Sequence, residues 1–223
     1  MSVAATATDA PRPAVGGRER KKAQTRVDLA SAARRLTFEH GLEGLTIQQI
    51  VESADVSTRT FFNYFRCKEE AVVGVDPGLV SELAEVVRAR PAGESPIVAL
   101  TAALLERASG PEAAEGWVQR SELVRRHPAL LPRHLTAMSE VEEALAVAVA
   151  ERMRTSVDRD PFASLMVAGA VAVMRSTFTW WMRSDQQIPL ATVLASGFAA
   201  LSSGFADPSH APSTVHSTVQ EAS

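Results

Sequence analysis

Residues 46–65 read TIQQIVESADVSTRTFFNYF, and this stretch decides the fold. Thr46, with Gln49 three residues later, has the capping-box pattern that opens a helix. Ile47, Ile50, Val51 and Ala54 then fall at i, i+3, i+4 and i+7, which makes one buried face. The pattern stops near Ser53–Asp55. Ser57 or Thr58 caps a further short helix, in which Phe61 and Phe65, four apart, turn inward together. Thr58, Arg59, Thr60, Asn63 and Tyr64 are left as an outward polar surface. Two short helices joined by a tight turn, the second polar at its N-terminal end, read as a helix-turn-helix. Such a helix fits a major groove, where Arg pairs with guanine, Asn with adenine and Thr with the thymine methyl. On pattern alone, a plain three-helix packing unit with an aromatic core stands beside this reading.

Working outward, a helix is expected over about Arg18–His40, with Leu29, Ala33 and Leu36 on its apolar face and Gly41 as its stop. Pro and Gly clusters cut the remainder so that the chain holds about nine helices. No segment alternates long enough for a strand, so the class is all-α. Residues 1–17 and 206–223 are rich in small residues, Pro and Gly or lack an apolar face, and read as a disordered leader and tail. The last two helices, about Pro161–Arg183 and Ile188–Phe205, are strongly apolar. Ala168, Gly169, Ala170, Gly197, Ala199 and Ala200 permit close helix approach there. Burying both in a two-fold four-helix bundle predicts a homodimer, with an intramolecular core as the alternative.

The 223 residues are 46% hydrophobic and 22% charged, which excludes a wholly disordered chain. One cysteine, Cys67, excludes an internal disulfide framework. No signal peptide is visible, and the longest apolar run, 162–174, is well short of the roughly 20 residues of a membrane helix. A cytoplasmic protein without a membrane partner is expected. The net charge of −3 divides unevenly: residues 1–70 are net basic and the rest net acidic. Arg12, Arg18, Arg20, Lys21, Lys22 and Arg26 form a basic arm, which suits a polyanion. Cys67 lies between Arg66 and Lys68, which would lower its thiol pKa and suit a redox switch; a plain small residue is the simpler reading. His40, His127, His134, His210 and His216 lack ligand spacing, and no catalytic motif is present, so no metal, cofactor or catalytic residue is assigned.

The segment Thr46–Ile47–x–x–Ile50 through Phe65–x–x–Lys68–Glu69 resembles the DNA-binding domain of TetR-family transcriptional regulators, over about residues 22–72. R-T-F-F-N-Y-F followed by C-K-E-E-A is similar to an actinobacterial branch with members that sense acyl-CoA-like or lipophilic ligands. The resemblance implies that Thr46 touches a phosphate, that Thr58, Arg59, Thr60, Asn63 and Tyr64 read bases or nearby backbone, and that Lys68 binds a phosphate. Two departures stand out. Phe62 replaces a tyrosine that bonds phosphate in many members, and Asp55 replaces a frequent turn glycine, though Asp tolerates left-handed backbone.

The resemblance further implies a head over residues 18–72 and a helical ligand-binding and dimerisation domain over 73–205. It implies a repressor that leaves its double-stranded DNA operator when a small lipophilic or acyl-type effector binds. Trp117, Met138, Met174, Phe178 and Trp181 suit a lipophilic cavity and equally an ordinary helical core, and Arg175 interrupts an apolar helix, where a surface or interface ion pair is the simpler role. Arg125, Arg126, His134 and Arg175 suit an acidic ligand head. The alternatives are a constitutive DNA-binding dimer and, last, an all-α enzyme acting on acyl chains.

Overall fold

The computed structural model describes residues 17–109 and 111–204; the leader and tail expected to be disordered lie, apart from Gly17, outside them. Among the described residues every regular element is helical. The order is α1 (Gly17–Gly44), α2 (Ile47–Ser53), α3 (Thr58–Phe62), α4 (Lys68–Val73), α5 (Pro77–Ala89), α6 (Pro96–Ala108), α7 (Pro111–Arg126), a 3-10 turn (Pro128–Leu130), α8 (Leu131–Arg152), α9 (Phe162–Arg183) and α10 (Leu190–Ser202). The all-α class is as expected. Gly41 breaks the long first helix with φ 73° and ψ 165°, a conformation that only glycine adopts without strain.

Two buried clusters organise the chain. The first joins Leu29, Ala33 and Leu36 of α1 to Ile50 and Val51 of α2, Phe61 and Phe65 around α3, and Ala71–Val73 of α4. It also takes in Leu123 of α7 and Leu130 of the 3-10 turn, both fully buried. A boundary at residue 72 therefore divides the chain but not this core. The second cluster packs α5, α6, α8, α9 and α10 around Leu100, Leu145, Val149, Val167 and Leu194. Arg152 holds the turn between α5 and α6. Its Nη1 donates to the carbonyls of Val87, Arg88 and Arg90, and its Nη2 to those of Pro91 and Glu94. A cation at the C-terminal end of α5 satisfies carbonyls that the helix leaves free.

The two terminal helices bear on two expectations. α9 is 22 residues long, with mean hydropathy 1.4 over an 18-residue window, so by length and composition alone it passes for a membrane span, as a buried core helix also does. One of its faces, carrying Ala163, Val167, Ala170, Phe178 and Trp181, lies in the second cluster. The glycines expected to admit a partner chain instead bring α9 and α10 of one chain together. A Cβ on Gly197 would lie 2.7 Å from Thr177 Oγ1 and 2.8 Å from Val173 Cγ1, and one on Gly169 3.6 Å from Leu201 Cδ1. Substituting Gly197 thus tests folding before it tests pairing. Gly197→Ala is expected to lower the unfolding free energy by about 1–3 kcal/mol through overpacking. Gly116→Ala on α7, where a Cβ meets nothing within 4 Å, is expected to raise it by up to about 1 kcal/mol. Urea titration of both variants checks the pair.

Candidate nucleic-acid interface

Thr46 opens α2 as a reciprocal cap. Gln49 N–H donates to Thr46 Oγ1 at 3.2 Å, and Thr46 N–H donates to Gln49 Oε1 at 2.8 Å. The Thr46 hydroxyl also donates to Gln49 Oε1 at 2.9 Å. The turn after α2 places Asp55 at φ 51°, the left-handed position a glycine would fill. Ser57 then caps α3, with its Oγ accepting from Thr60 N–H at 3.0 Å. The Thr60 hydroxyl shares a 2.9 Å hydrogen bond with the Ser57 hydroxyl. α3 is only five residues long, so Asn63 stands at its C-cap and Tyr64 just beyond.

Phe61 and Phe65 anchor this segment from below, both buried, with ring centroids 5.6 Å apart. Arg26 of α1 clamps it from the side. Its guanidinium lies 4.4 Å from the centre of the Phe65 ring. Nη1 donates to Tyr64 O at 2.7 Å, Nη2 to Val75 O at 3.3 Å, and Nε lies 3.5 Å from Asp76 Oδ1. Arg26 therefore leaves the basic arm to which its position assigned it, and holds α1 to the ends of α3 and α4.

With the anchors inside, Thr58, Arg59 and Asn63 are exposed, and their side chains make no hydrogen bond among the described residues. Thr60 and Tyr64 are half-buried, less outward than expected. Phe62 is exposed beside them. Lys68 differs from the plain phosphate ligand that the resemblance implied. Its ammonium donates to Leu42 O and Leu45 O, both at 2.8 Å, closing the loop between α1 and α2. One of its three protons remains for another acceptor. Cys67 also reverses an expectation: burial, the largest cause, pushes its thiol pKa up rather than down, and a hydrogen bond and the charge of Glu69 add to this. Such a thiol is poor in thiolate and unsuited to a redox switch.

The residues expected to line an effector cavity divide. Trp117 of α7 meets Phe178 of α9 edge to face at 5.6 Å, and Phe178 lies 6.1 Å from Trp181, so these three stack on one another. Trp181 Nε1 donates to Ile188 O at 2.8 Å. Met174 packs against the same core, and Met138 is half-buried on α8. Arg175 is exposed, so it does not face that core. Two surface clefts, one between α1 and α2 and one between α8 and α9, touch none of the six. Arg125 and Arg126 both engage Glu122, which holds its carboxyl at about 2. Both contacts are exposed surface ion pairs. Among the described residues no group of His, Cys, Asp and Glu could hold a metal.

Residues 29–73 match the N-terminal domain described as bacterial regulatory proteins, tetR family, and residues 94–206 match the MftR C-terminal domain. The chain belongs to the TetR family. This TetR-family chain is 31% identical to the HTH-type transcriptional regulator TcmR of Streptomyces glaucescens, over 86% of the chain and 90% of that protein. Its fold is shared with a transcriptional regulator from Rhodococcus sp. RHA1, at 18% identity and a TM-score of 0.51, covering 80% of this chain and 96% of that one. The TetR-family chain is a transcriptional regulator and not an enzyme, which removes the acyl-chain enzyme from consideration. Arg26, Leu123 and Leu130 escaped sequence reasoning because their partners are far away in sequence, and neither periodicity nor motif spacing carries such a signal.

Two substitutions separate anchoring from recognition. Lys68→Met leaves two loop carbonyls without their donor, and Arg26→Ala removes the donors to Tyr64 O and Val75 O. Each is expected to lower the unfolding free energy by about 1–3 kcal/mol, measured by urea titration without DNA.

Proposed function

We propose that this regulator is a homodimeric, cytoplasmic repressor that binds operator DNA through α3 and leaves it when a small lipophilic or acyl-type effector binds. The observation that carries the reading is the exposed set Thr58, Arg59 and Asn63, on a helix fixed from beneath by Phe61 and Phe65 and from the side by Arg26. Arg59 and Asn63 are four apart and reach one major groove together. Thr60 and Tyr64 flank them. Thr46, at the start of α2, and the remaining proton of Lys68 serve phosphates. Pairing through α9 and α10 is supported by the apolar side chains exposed on α9: Leu165 at 66%, and Phe162 and Trp180 at 52% each.

The effector's route to the head runs along α7. Trp117 sits in the aromatic stack and Leu123, on the same helix, sits in the head's core. A ligand that displaces Trp117 moves Leu123 with it. A hundredfold loss of operator affinity requires the ligand to favour the non-binding state by about 3 kcal/mol. The closed stack of Trp117, Phe178 and Trp181 is the observation that favours the constitutive dimer instead.

Arg59→Ala and Asn63→Ala are each expected to cost about 1–3 kcal/mol on the operator and little on a scrambled duplex. Lys68→Ala should weaken both duplexes and reduce the salt slope by about one unit per protomer. Titration against both duplexes at several salt concentrations reads the difference. Equal losses on operator and scrambled DNA for Arg59→Ala and Asn63→Ala would place the reading face elsewhere.

A further inference from the structure

The seam between α1 of the head and α7 and α8 of the helical domain gathers cations without counter-charges. Arg34 on α1, Arg120 on α7 and His134 on α8 each bury a nitrogen, Nε, Nε and Nδ1 respectively, that has no hydrogen-bond partner. Arg120 feels the charges of Arg34 and of Arg107 on α6, and His134 feels that of Arg120. Among the described residues no carboxylate forms an ion pair with any of the four. Burial first, and the neighbouring guanidinium groups second, bring Arg120 down to about 10. Burial also lowers Arg34 and His134. Three other inward guanidinium groups are arranged differently: Arg26 meets two carbonyls and Asp76, Arg90 meets Glu94 through two nitrogens, and Arg152, whose Nε is also buried without a partner, spends Nη1 and Nη2 on five backbone carbonyls. A buried cation without a partner is costly, and two guanidinium groups from two helices on one seam, beside an imidazole whose protonation Arg120 opposes, are costlier still.

We propose that this seam binds one anionic group, a phosphate or a carboxylate carried by the effector, with Arg34, Arg120 and His134 as its ligands. The inference rests on the reading that the helical domain receives an effector. The chemistry suits an anion. Guanidinium groups present paired N–H donors that match two oxygens of a phosphate or carboxylate, and the imidazole adds one more. The position adds a consequence. The anion draws α1 toward α7 and α8, and α1 carries the Arg26 clamp on α3. Binding at the seam thereby acts on the recognition surface without touching it.

The test uses the full chain. Its thermal-unfolding midpoint is measured in sodium phosphate and in sodium acetate, against sodium chloride at equal ionic strength. One of the two anions is expected to raise the midpoint by about 3–6 °C at ten times its dissociation constant. The anion that acts shows whether the effector's head is a phosphate or a carboxylate. Arg34→Gln, Arg120→Met and His134→Gln, on three different helices, are each expected to lose the rise, and circular dichroism identifies those that fold. Arg183→Met, at the exposed end of α9, is expected to keep it. No rise with either anion, a rise that survives in the folded seam variants, or one lost equally in Arg183→Met overturns the proposal. Operator titration without added anion runs alongside. A lost anion response with operator binding intact strikes the seam alone, and lost operator binding with the anion response intact strikes the reading of α3.

Discussion

The burial of Leu123 and Leu130 among the side chains of α1–α4 is the contact on which the rest depends. The three helices that form and follow the turn are seven, five and six residues long, far below the length at which a helix persists alone in water. Their caps at Thr46 and Ser57 set where they begin, and tertiary burial supplies the remainder. Part of that burial comes from beyond the head. The exposed face of α3 is thus held in place in part by side chains whose own backbone belongs to α7 and the 3-10 turn. Arg126, 5.6 Å from the centre of the Phe38 ring, reinforces the same junction.

Much of the head was legible in the sequence because its determinants are local. The capping box at Thr46, the left-handed turn at Asp55, the inward pair Phe61 and Phe65 and the stop at Gly41 each depend on residues within four positions of one another. The positions of Arg59 and Asn63 follow from the same helical spacing. Long-range partnerships were not legible. Arg26 counted as one charge in a basic run, yet its acceptors lie 38 and 49 residues away. Lys68 fitted a family pattern, yet two of its protons close a loop more than twenty residues earlier. Gly169 and Gly197 announced close approach correctly, but small residues do not say whether the approaching helix belongs to the same chain. Cys67 shows the same limit in electrostatics: neighbouring cations are visible in sequence, whereas burial is not.

The fate of the arginines shows how this chain distributes its charge. Arg26 and Arg152 replace missing helix-end donors for backbone carbonyls. Arg90, Arg125 and Arg126 pair with carboxylates a turn away. Arg59 stays in solvent. Arg34 and Arg120 fit none of these settings. One residue type therefore serves as staple, surface pair, free solvent-facing donor and unsatisfied interior charge, and only three-dimensional neighbours distinguish the four.

The shared core at Leu123 and Leu130 also bears on modularity. The simplest way to join this head to a different helical domain is a cut in the linker after α4. In this chain such a cut, near residue 74, would leave the transplanted head with two unfilled leucine-sized hollows and ask a foreign α7 to fill them. The exchangeable unit that keeps its own packing is discontinuous, α1–α4 together with 123–130. The packing of the head and the packing of α7 are consequently inherited together here, and divergence of one constrains the other through two buried side chains.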